Sequence, residues 1–150
     1  SVFEMYEIDD KKDFSNAIVG KKIDSTYLIK ALFEHANNGD LPAISVLETS
    51  GEHMARSIAG VIKELNIKEP INVILAGSVW AKATNFAMLN KFKKVVCELS
   101  NKKCNFIVLK EPPVLGAILW ALELANGELP DKELKAKVLE NIINYQNSIN

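Results

Sequence analysis

The sequence predicts an α/β fold in which helices surround a small parallel sheet. Two short runs carry no charged residue, at positions 71–77 and 104–109, and each has the length and apolar character of a buried strand. Between them the apolar residues return to helical spacing. A helix that joins two such strands is typical of the right-handed crossover between parallel neighbours.

Composition places the chain among ordinary globular proteins. It has 150 residues, of which 48% are hydrophobic and 25% charged, enough for one core and one domain over residues 1–150. The net charge of −1 does not indicate the basic surface that nucleic-acid-binding domains typically have. No apolar run approaches the roughly 20 residues of a membrane span, and the polar, acidic start is unlike a signal peptide. We therefore expect a cytoplasmic protein that binds neither nucleic acid nor membranes.

The first third of the chain predicts two helices after a lead-in. Residues 1–24 form this lead-in, and its first element, Val2–Ile8, has no clear type. Ser25 is a suitable N-cap for a helix that continues to about Asn37. Asp40 then caps a longer helix.

The longer helix is predicted to be half buried. Its apolar residues recur at three- and four-residue steps over about six turns, which indicates one continuous apolar stripe. These residues are Ile44, Leu47, Met54, Ile58, Val61, Ile62 and Leu65.

Three further elements follow the first strand. A helix over about 84–99 leads to the second strand, and Pro112-Pro113 suits a loop before another helix. That helix, Val114–Ala125, is apolar almost all round and is expected to be central. Gly127 ends it, and a last helix is expected over 131–149. Its predicted buried face consists of Leu134, Val138, Ile142, Tyr145 and Ile149.

The end of the first strand is the predicted binding region. Gly77 and Ser78 follow the uncharged run directly. The carboxyl ends of parallel strands form the crevice of open α/β sheets, and a glycine there lets the backbone turn sharply and approach a ligand. A tight turn without a ligand would also need a glycine at this position, so the residues alone leave both interpretations open.

The sequence offers few other candidates for catalytic residues or metal ligands. Cys97 and Cys104 have no metal-binding spacing and are expected to be buried thiols. His35 and His53 have no nucleophile or orienting carboxylate at a recognisable spacing. We therefore assign no catalytic residue and no metal ligand to this chain.

The small number of strands predicts that the chain is part of something larger. Two apolar strands need cover on both faces and neighbours along their edges, and the sequence has no initiator methionine. We expect a C-terminal fragment that is inactive by itself. Its open sheet edge would favour self-association, so a homodimer is among the expected partners.

Three motifs in order carry a resemblance to a known family. They are Ala36-Asn-Asn-Gly39-Asp40 before the long helix, Val73-Ile-Leu-Ala-Gly-Ser-Val-Trp80 at the strand end, and Glu111-Pro-Pro-Val-Leu-Gly-Ala117 after the second strand. Over about residues 25–127 the chain resembles the C-terminal lobe of N-acetylglucosamine kinases and the related BadF/BadG/BcrA/BcrD-type ATPases. These proteins belong to the actin-like ATPase and sugar kinase superfamily, so the resemblance implies a ribonuclease H-like lobe.

The resemblance also implies roles for particular residues. Gly77, Ser78 and Val79 match the turn that lies against the adenosine of ATP, and Ser25 and Thr26 would approach the adenine from the other side. Two small residues, Gly116 and Ala117, match the place where a helix packs under the nucleotide turn.

By this resemblance, the function is that of the ATP-binding lobe of a sugar kinase. The γ-phosphoryl group would go to N-acetylglucosamine or a related amino sugar, with Mg²⁺ and the sugar held mainly by the other lobe. The phosphate-binding loops of the family are missing from this sequence. A BadF/BadG-type ATPase that drives a partner enzyme, or a non-catalytic nucleotide-binding module, would share the same lobe.

Overall fold

A computed structural model describes residues 7–10, 12–20 and 24–148. Two parallel strands with several helices confirm the predicted α/β class. Residues 2–6 of the predicted first element and Ile149 of the predicted last helix lie outside the described residues. The elements are α1 (Asp13–Val19), α2 (Ser25–Asn37), α3 (Leu41–Glu64), β1 (Ile71–Leu75), α4 (Ser78–Ala81), α5 (Ala87–Ser100), β2 (Cys104–Val108), α6 (Pro113–Asn126) and α7 (Lys132–Ser148).

The chain divides into two compact units. One comprises residues up to Ile67 together with 83–102, and it contains α1, α2, α3 and α5. The other comprises 68–82 and 103–150, and it contains both strands with α4, α6 and α7. The prediction of a single lobe over 1–150 stays a prediction.

Carboxylates cap both long helices at the start of the first unit. The Asp24 side chain accepts a hydrogen bond of 2.8 Å from the backbone N–H of Thr26, so Asp24 is the N-cap of α2 and the predicted cap Ser25 is wrong by one residue. Asp40 caps α3 as predicted, since its carboxylate accepts from the N–H of Ala43 at 2.9 Å.

Small residues form much of the buried face of α3. This face consists of Ala43, Leu47, Gly51, Ala55, Ala59 and Ile62. The predicted apolar stripe is therefore partly wrong: Met54 and Val61 are exposed. The reason is the close packing of α3 on α5, where a Cβ added to Gly51 would overlap the backbone carbonyl of Met88. Large side chains do not fit at such a contact.

The two strands pair in parallel, as predicted. Their register runs from Ile71 beside Cys104 to Leu75 beside Val108, and the N–H of Leu109 donates to the carbonyl of Leu75 at 2.9 Å. The regular strand β1 ends at Leu75, two residues before its predicted end.

One face of the sheet is covered by described residues and the other is not. Along β1 the side chains alternate between buried and exposed. Ile74 is 51% exposed, and Ile107 on the paired strand is 41% exposed. Alternate residues of a strand point to opposite faces of the sheet, so the exposed residues mark one face that is open. The described part of the chain therefore covers only one of the two faces for which cover was expected.

Helix α6 begins and ends within one residue of its predicted bounds but is less buried than expected. Gly127 ends α6 with a left-handed φ of 78°. Leu115 is buried on α6, whereas Trp120 and Leu124 are about two thirds exposed or more. The expectation of a central helix is wrong for the described residues, since α7 covers only part of a helix that is apolar all round.

The predicted buried face of α7 is wrong in a similar way. Tyr145 is 68% exposed, and α7 contains no fully buried residue within the described range.

Among all the helices that the structure describes, none has the length and apolar character needed to cross a membrane.

Candidate functional site

The turn after β1 is built around an unusual backbone conformation. Gly77 has φ 108° and ψ 161°, in the region that favours glycine over residues with a side chain. Its carbonyl accepts hydrogen bonds from the N–H groups of Trp80 at 3.1 Å and Ala81 at 3.0 Å, which start the short helix α4. The predicted need for a glycine at this turn is confirmed.

The space beside Gly77 is open. A Cβ added to this residue would meet no atom within 4 Å, so no neighbouring protein group requires a glycine here. The requirement comes from the backbone angle alone. Ser78 is exposed and Val79 half-buried, and the backbone of the turn is accessible to a ligand on the side where other residues carry Cβ.

The end of β2 adds two charged residues to the same edge of the sheet. Leu75 and Val108 are register partners, and the hydrogen bond from Leu109 to Leu75 extends the pairing beyond the regular strands. Lys110 and Glu111 follow, two and three residues after the end of β2. The sequence interpretation missed both residues as site candidates. Applying the strand-end rule to the second strand as well as to the first would have found them.

Helix α6 begins just after this edge. Pro112 is its N-cap, no side chain caps it, and its first turn contains no acidic residue. The N-terminus of a helix carries a partial positive charge, so the α6 end adds positive potential close to the ends of the strands.

The predicted supporting residues show no tight packing. A Cβ added to Gly116 would meet no atom within 4 Å, and both Gly116 and Ala117 are exposed. No close approach to another element explains their small size within the described residues. Their role under a nucleotide stays a prediction.

The other half of the predicted adenosine site lies in the first unit. Ser25 and Thr26 form the first turn of α2, both are exposed, and the N–H of Thr26 is engaged by the Asp24 carboxylate. Gly77 belongs to the second unit. Their joint action on one ligand stays a prediction.

A cluster of charged side chains outside the candidate site links two helices of the first unit. Glu52 on α3 lies 2.6 Å from Arg56 and 3.3 Å from Lys91 of α5. Hydrogen bonds from Arg56 and then Lys91 lower the pKa of the Glu52 carboxyl group. The ion cluster joins two helices of one unit.

The cysteines differ from the sequence expectation. Cys97 is exposed on α5 and Cys104 is half-buried on β2, so the prediction of two buried thiols is wrong. Residue 97 occupies the solvent side of an amphipathic helix whose other face carries the core. Within the described ranges no group of three or more His, Cys, Asp and Glu side chains is placed to hold a metal ion.

Comparison with known proteins identifies the family. The model of the ROK family matches residues 16–123, which is more than two thirds of the chain. No curated protein and no solved structure matches. The matched range includes all three motifs on which the superfamily resemblance rests. The chain therefore belongs to the ROK family, within the actin-like ATPase and sugar kinase superfamily, whose members are generally sugar kinases or related proteins.

Proposed function

We propose that this chain is the ATP-binding lobe of a cytoplasmic sugar kinase. The whole protein would transfer the γ-phosphoryl group of ATP to a hydroxyl of N-acetylglucosamine or a related amino sugar. The family supports a sugar kinase or related activity, and the choice of an amino sugar rests on the three motifs that resemble N-acetylglucosamine kinases.

The observation that carries the proposal is the backbone of Gly77. Its left-handed φ and the open space around its Cα lie at the carboxyl end of a parallel strand. Nucleotides bind at this edge in open α/β sheets. The adenosine would lie against the turn Gly77–Val79, where no side chain at position 77 separates it from the backbone.

Ser25 and Thr26 of α2 are the other residues that we assign to adenosine binding, on the strength of the resemblance alone. Ser25 and Thr26 each offer a hydroxyl in exposed positions. Hydroxyls can donate and accept, so they suit the mixed donors and acceptors of an adenine edge or a ribose. Gly116 and Ala117 would support the turn by letting α6 pack closely beneath it.

Phosphoryl transfer by such a protein depends on position and charge. Mg²⁺ would neutralise the developing charge on the phosphates, and a carboxylate would take the proton of the sugar hydroxyl. By the resemblance, the other lobe of such a kinase would hold the sugar and that base, and most of the ligands of the metal. The contribution of this chain is to hold adenosine and to exclude water when the site closes.

Sugar-dependent formation of ADP tests the proposal. The full-length protein is incubated with ATP, Mg²⁺ and a panel of sugars, and both ADP and phosphorylated sugar are measured. We expect ADP to form together with an equal amount of phosphorylated N-acetylglucosamine or a related amino sugar. ATP hydrolysis without sugar phosphorylation would contradict the kinase proposal and favour the ATPase alternative. Nucleotide binding without turnover would favour the non-catalytic module.

A further inference from the structure

The sequence contains two Asn-Gly dipeptides, Asn38-Gly39 and Asn126-Gly127. Asparagine before glycine is especially prone to spontaneous deamidation, because glycine has no Cβ to hinder attack by its own backbone nitrogen on the preceding side chain. An acidic residue follows each dipeptide, Asp40 in one case and Glu128 in the other. The two sites are therefore closely matched in local chemistry, and the fold decides how fast each one reacts.

The reaction needs only the protein and water. The backbone nitrogen of the glycine loses its proton and bonds to Cγ of the asparagine, while the bond from Cγ to the side-chain nitrogen breaks and ammonia leaves with that proton. Water then opens the cyclic imide at either of its two carbonyl carbons. One opening leaves an aspartate in the normal chain, and the other leaves an isoaspartate, in which the chain runs through Cγ.

Local opening must precede the reaction at both sites. Asn126 is the last residue of α6 and Asn38 is the C-cap of α2, and the N–H of each following glycine donates to a carbonyl of the helix. A backbone nitrogen held in such a turn is not free to attack the side chain. The rate at each site therefore follows the fraction of time for which its turn is open.

The end of α6 opens at little cost. Its last turn is closed by the N–H of Gly127, which donates to the carbonyl of Glu123 at 2.8 Å. Asn126 and Gly127 are exposed, and the single buried residue of α6, a helix described along its whole length, is Leu115 near the other end. Opening this turn breaks terminal hydrogen bonds and exposes no buried side chain of the helix.

The Asn38-Gly39 turn is anchored on both sides. The N–H of Gly39 donates to the carbonyl of Ala36 at 3.2 Å, and Ala36 is only 3% exposed. The preceding residue, Asn37, donates from its side-chain amide to the hydroxyl of Thr84 at 2.9 Å, and α3 begins two residues after the turn. Opening here therefore disturbs a buried residue, a contact distant in the sequence and the start of a long helix.

We propose that Asn126 is a site of spontaneous deamidation in the folded protein, whereas the matched Asn38 is protected by its surroundings. The product carries a new carboxylate at the C-terminus of α6. That end of the helix has a partial negative charge, and its last turn contains no basic residue, so the new charge is unfavourable there. This inference is independent of the proposed function.

Ageing of the purified full-length protein in mildly alkaline buffer tests the assignment. Samples are digested at intervals, and mass spectrometry of the peptides measures the conversion of each asparagine to the acid. We expect Asn126 to react at least about tenfold faster than Asn38, which corresponds to a difference of about 1.4 kcal/mol in the free energy of opening. Both aspartate and isoaspartate should appear at position 126, because the imide opens in two ways.

Two controls isolate the effect of the fold. In concentrated urea both turns are lost, and Asn38 and Asn126 should react at similar rates. Asn126→Gln would have to close a larger and less favourable ring, so this variant should not react at position 126, while Asn38 reacts as slowly as before.

The outcomes decide the proposal in both directions. Faster reaction at Asn126 in the folded protein together with similar rates in urea would support it, because only folding then separates the two sites. Equal rates in the folded protein, faster reaction at Asn38, or the same ratio in urea as in the folded protein would overturn it. Aspartate without isoaspartate at position 126 would also overturn it, since direct hydrolysis by water forms no imide.

Discussion

The packing of α3 on α5 makes a sharp prediction about one glycine. Gly51 lies on the buried face of α3, and a Cβ at this position would overlap the Met88 carbonyl oxygen and lie 3.1 Å from the carbonyl carbon. The obstacle is backbone and cannot rotate away. Gly51→Ala must therefore push α3 and α5 apart or distort one of them.

The size of the effect follows from two opposing contributions. Alanine is favoured over glycine inside a helix by about 1 kcal/mol. Overpacking a well-packed contact costs about 1–3 kcal/mol, and a backbone obstacle lies at the upper end of that range. We expect Gly51→Ala to lower the free energy of unfolding by about 2 kcal/mol. For a chain of this size that is a fall of about 4–8 °C in melting temperature.

Gly60→Ala is the matched control on the same helix. A Cβ at Gly60 meets no atom within 4 Å, so only the gain in helix propensity remains. This variant should be more stable by about 0.5–1 kcal/mol. Urea unfolding followed by circular dichroism measures both changes. If Gly51→Ala proved as stable as Gly60→Ala, the close contact between α3 and Met88 would be refuted.

Two further predictions concern α3. Asp40→Ala removes the acceptor for the Ala43 N–H and should cost about 1 kcal/mol in urea unfolding, whereas Asp40→Asn, which keeps a capping oxygen, should cost much less. Arg56 and Lys91 lower the pKa of Glu52 below its ordinary value of 4.5, so the folded state gains stability above that pH and loses it as the pH falls through the lowered value. The stability difference between the unaltered protein and Glu52→Gln should therefore shrink as unfolding is measured from pH 7 towards pH 3; a difference independent of pH would contradict the ion cluster.

Local signals were sufficient for the order of the longer elements, whereas the short helices α1 and α4 were not predicted. Both strands stand out as uncharged runs, and Gly127 adopts the left-handed conformation that a helix end after α6 requires. The Asp40 cap is equally local, because a carboxylate and an N–H three residues away belong to the same turn. The first cap was misplaced by one residue, since Asp24 and Ser25 are both good capping types and only geometry separates them.

Packing between elements that are distant in the sequence determined which residues of α3 are buried, and the α3 sequence alone did not predict this. Met54 and Val61 have greater hydropathy than Gly51, so an apolar stripe selects them, yet the partner helix needs a small residue. The identity of that partner is absent from the α3 sequence. The candidate site shows the same division. The conformation of Gly77 was predictable, whereas the exposure of Gly116 and Ala117 depends on which elements pack against α6.

The affinity of the full-length protein for ATP tests the central claim most directly when Gly77→Val is compared with Gly127→Val. Both glycines have a positive φ and open space where Val would place its Cβ, so valine strains the backbone at both positions. The strain is greater at Gly77, because its ψ of 161° lies in a region that is essentially restricted to glycine, whereas Gly127 has a ψ of 1°. Only Gly77 lies at the candidate site.

We predict at least a tenfold loss of ATP affinity for Gly77→Val, which equals about 1.4 kcal/mol, and little change for Gly127→Val. Melting curves verify folding, and Gly77→Ala provides a milder variant should valine prevent it. Unchanged ATP affinity in a folded Gly77 variant, or an equal loss at both glycines, would contradict an adenosine site on this turn.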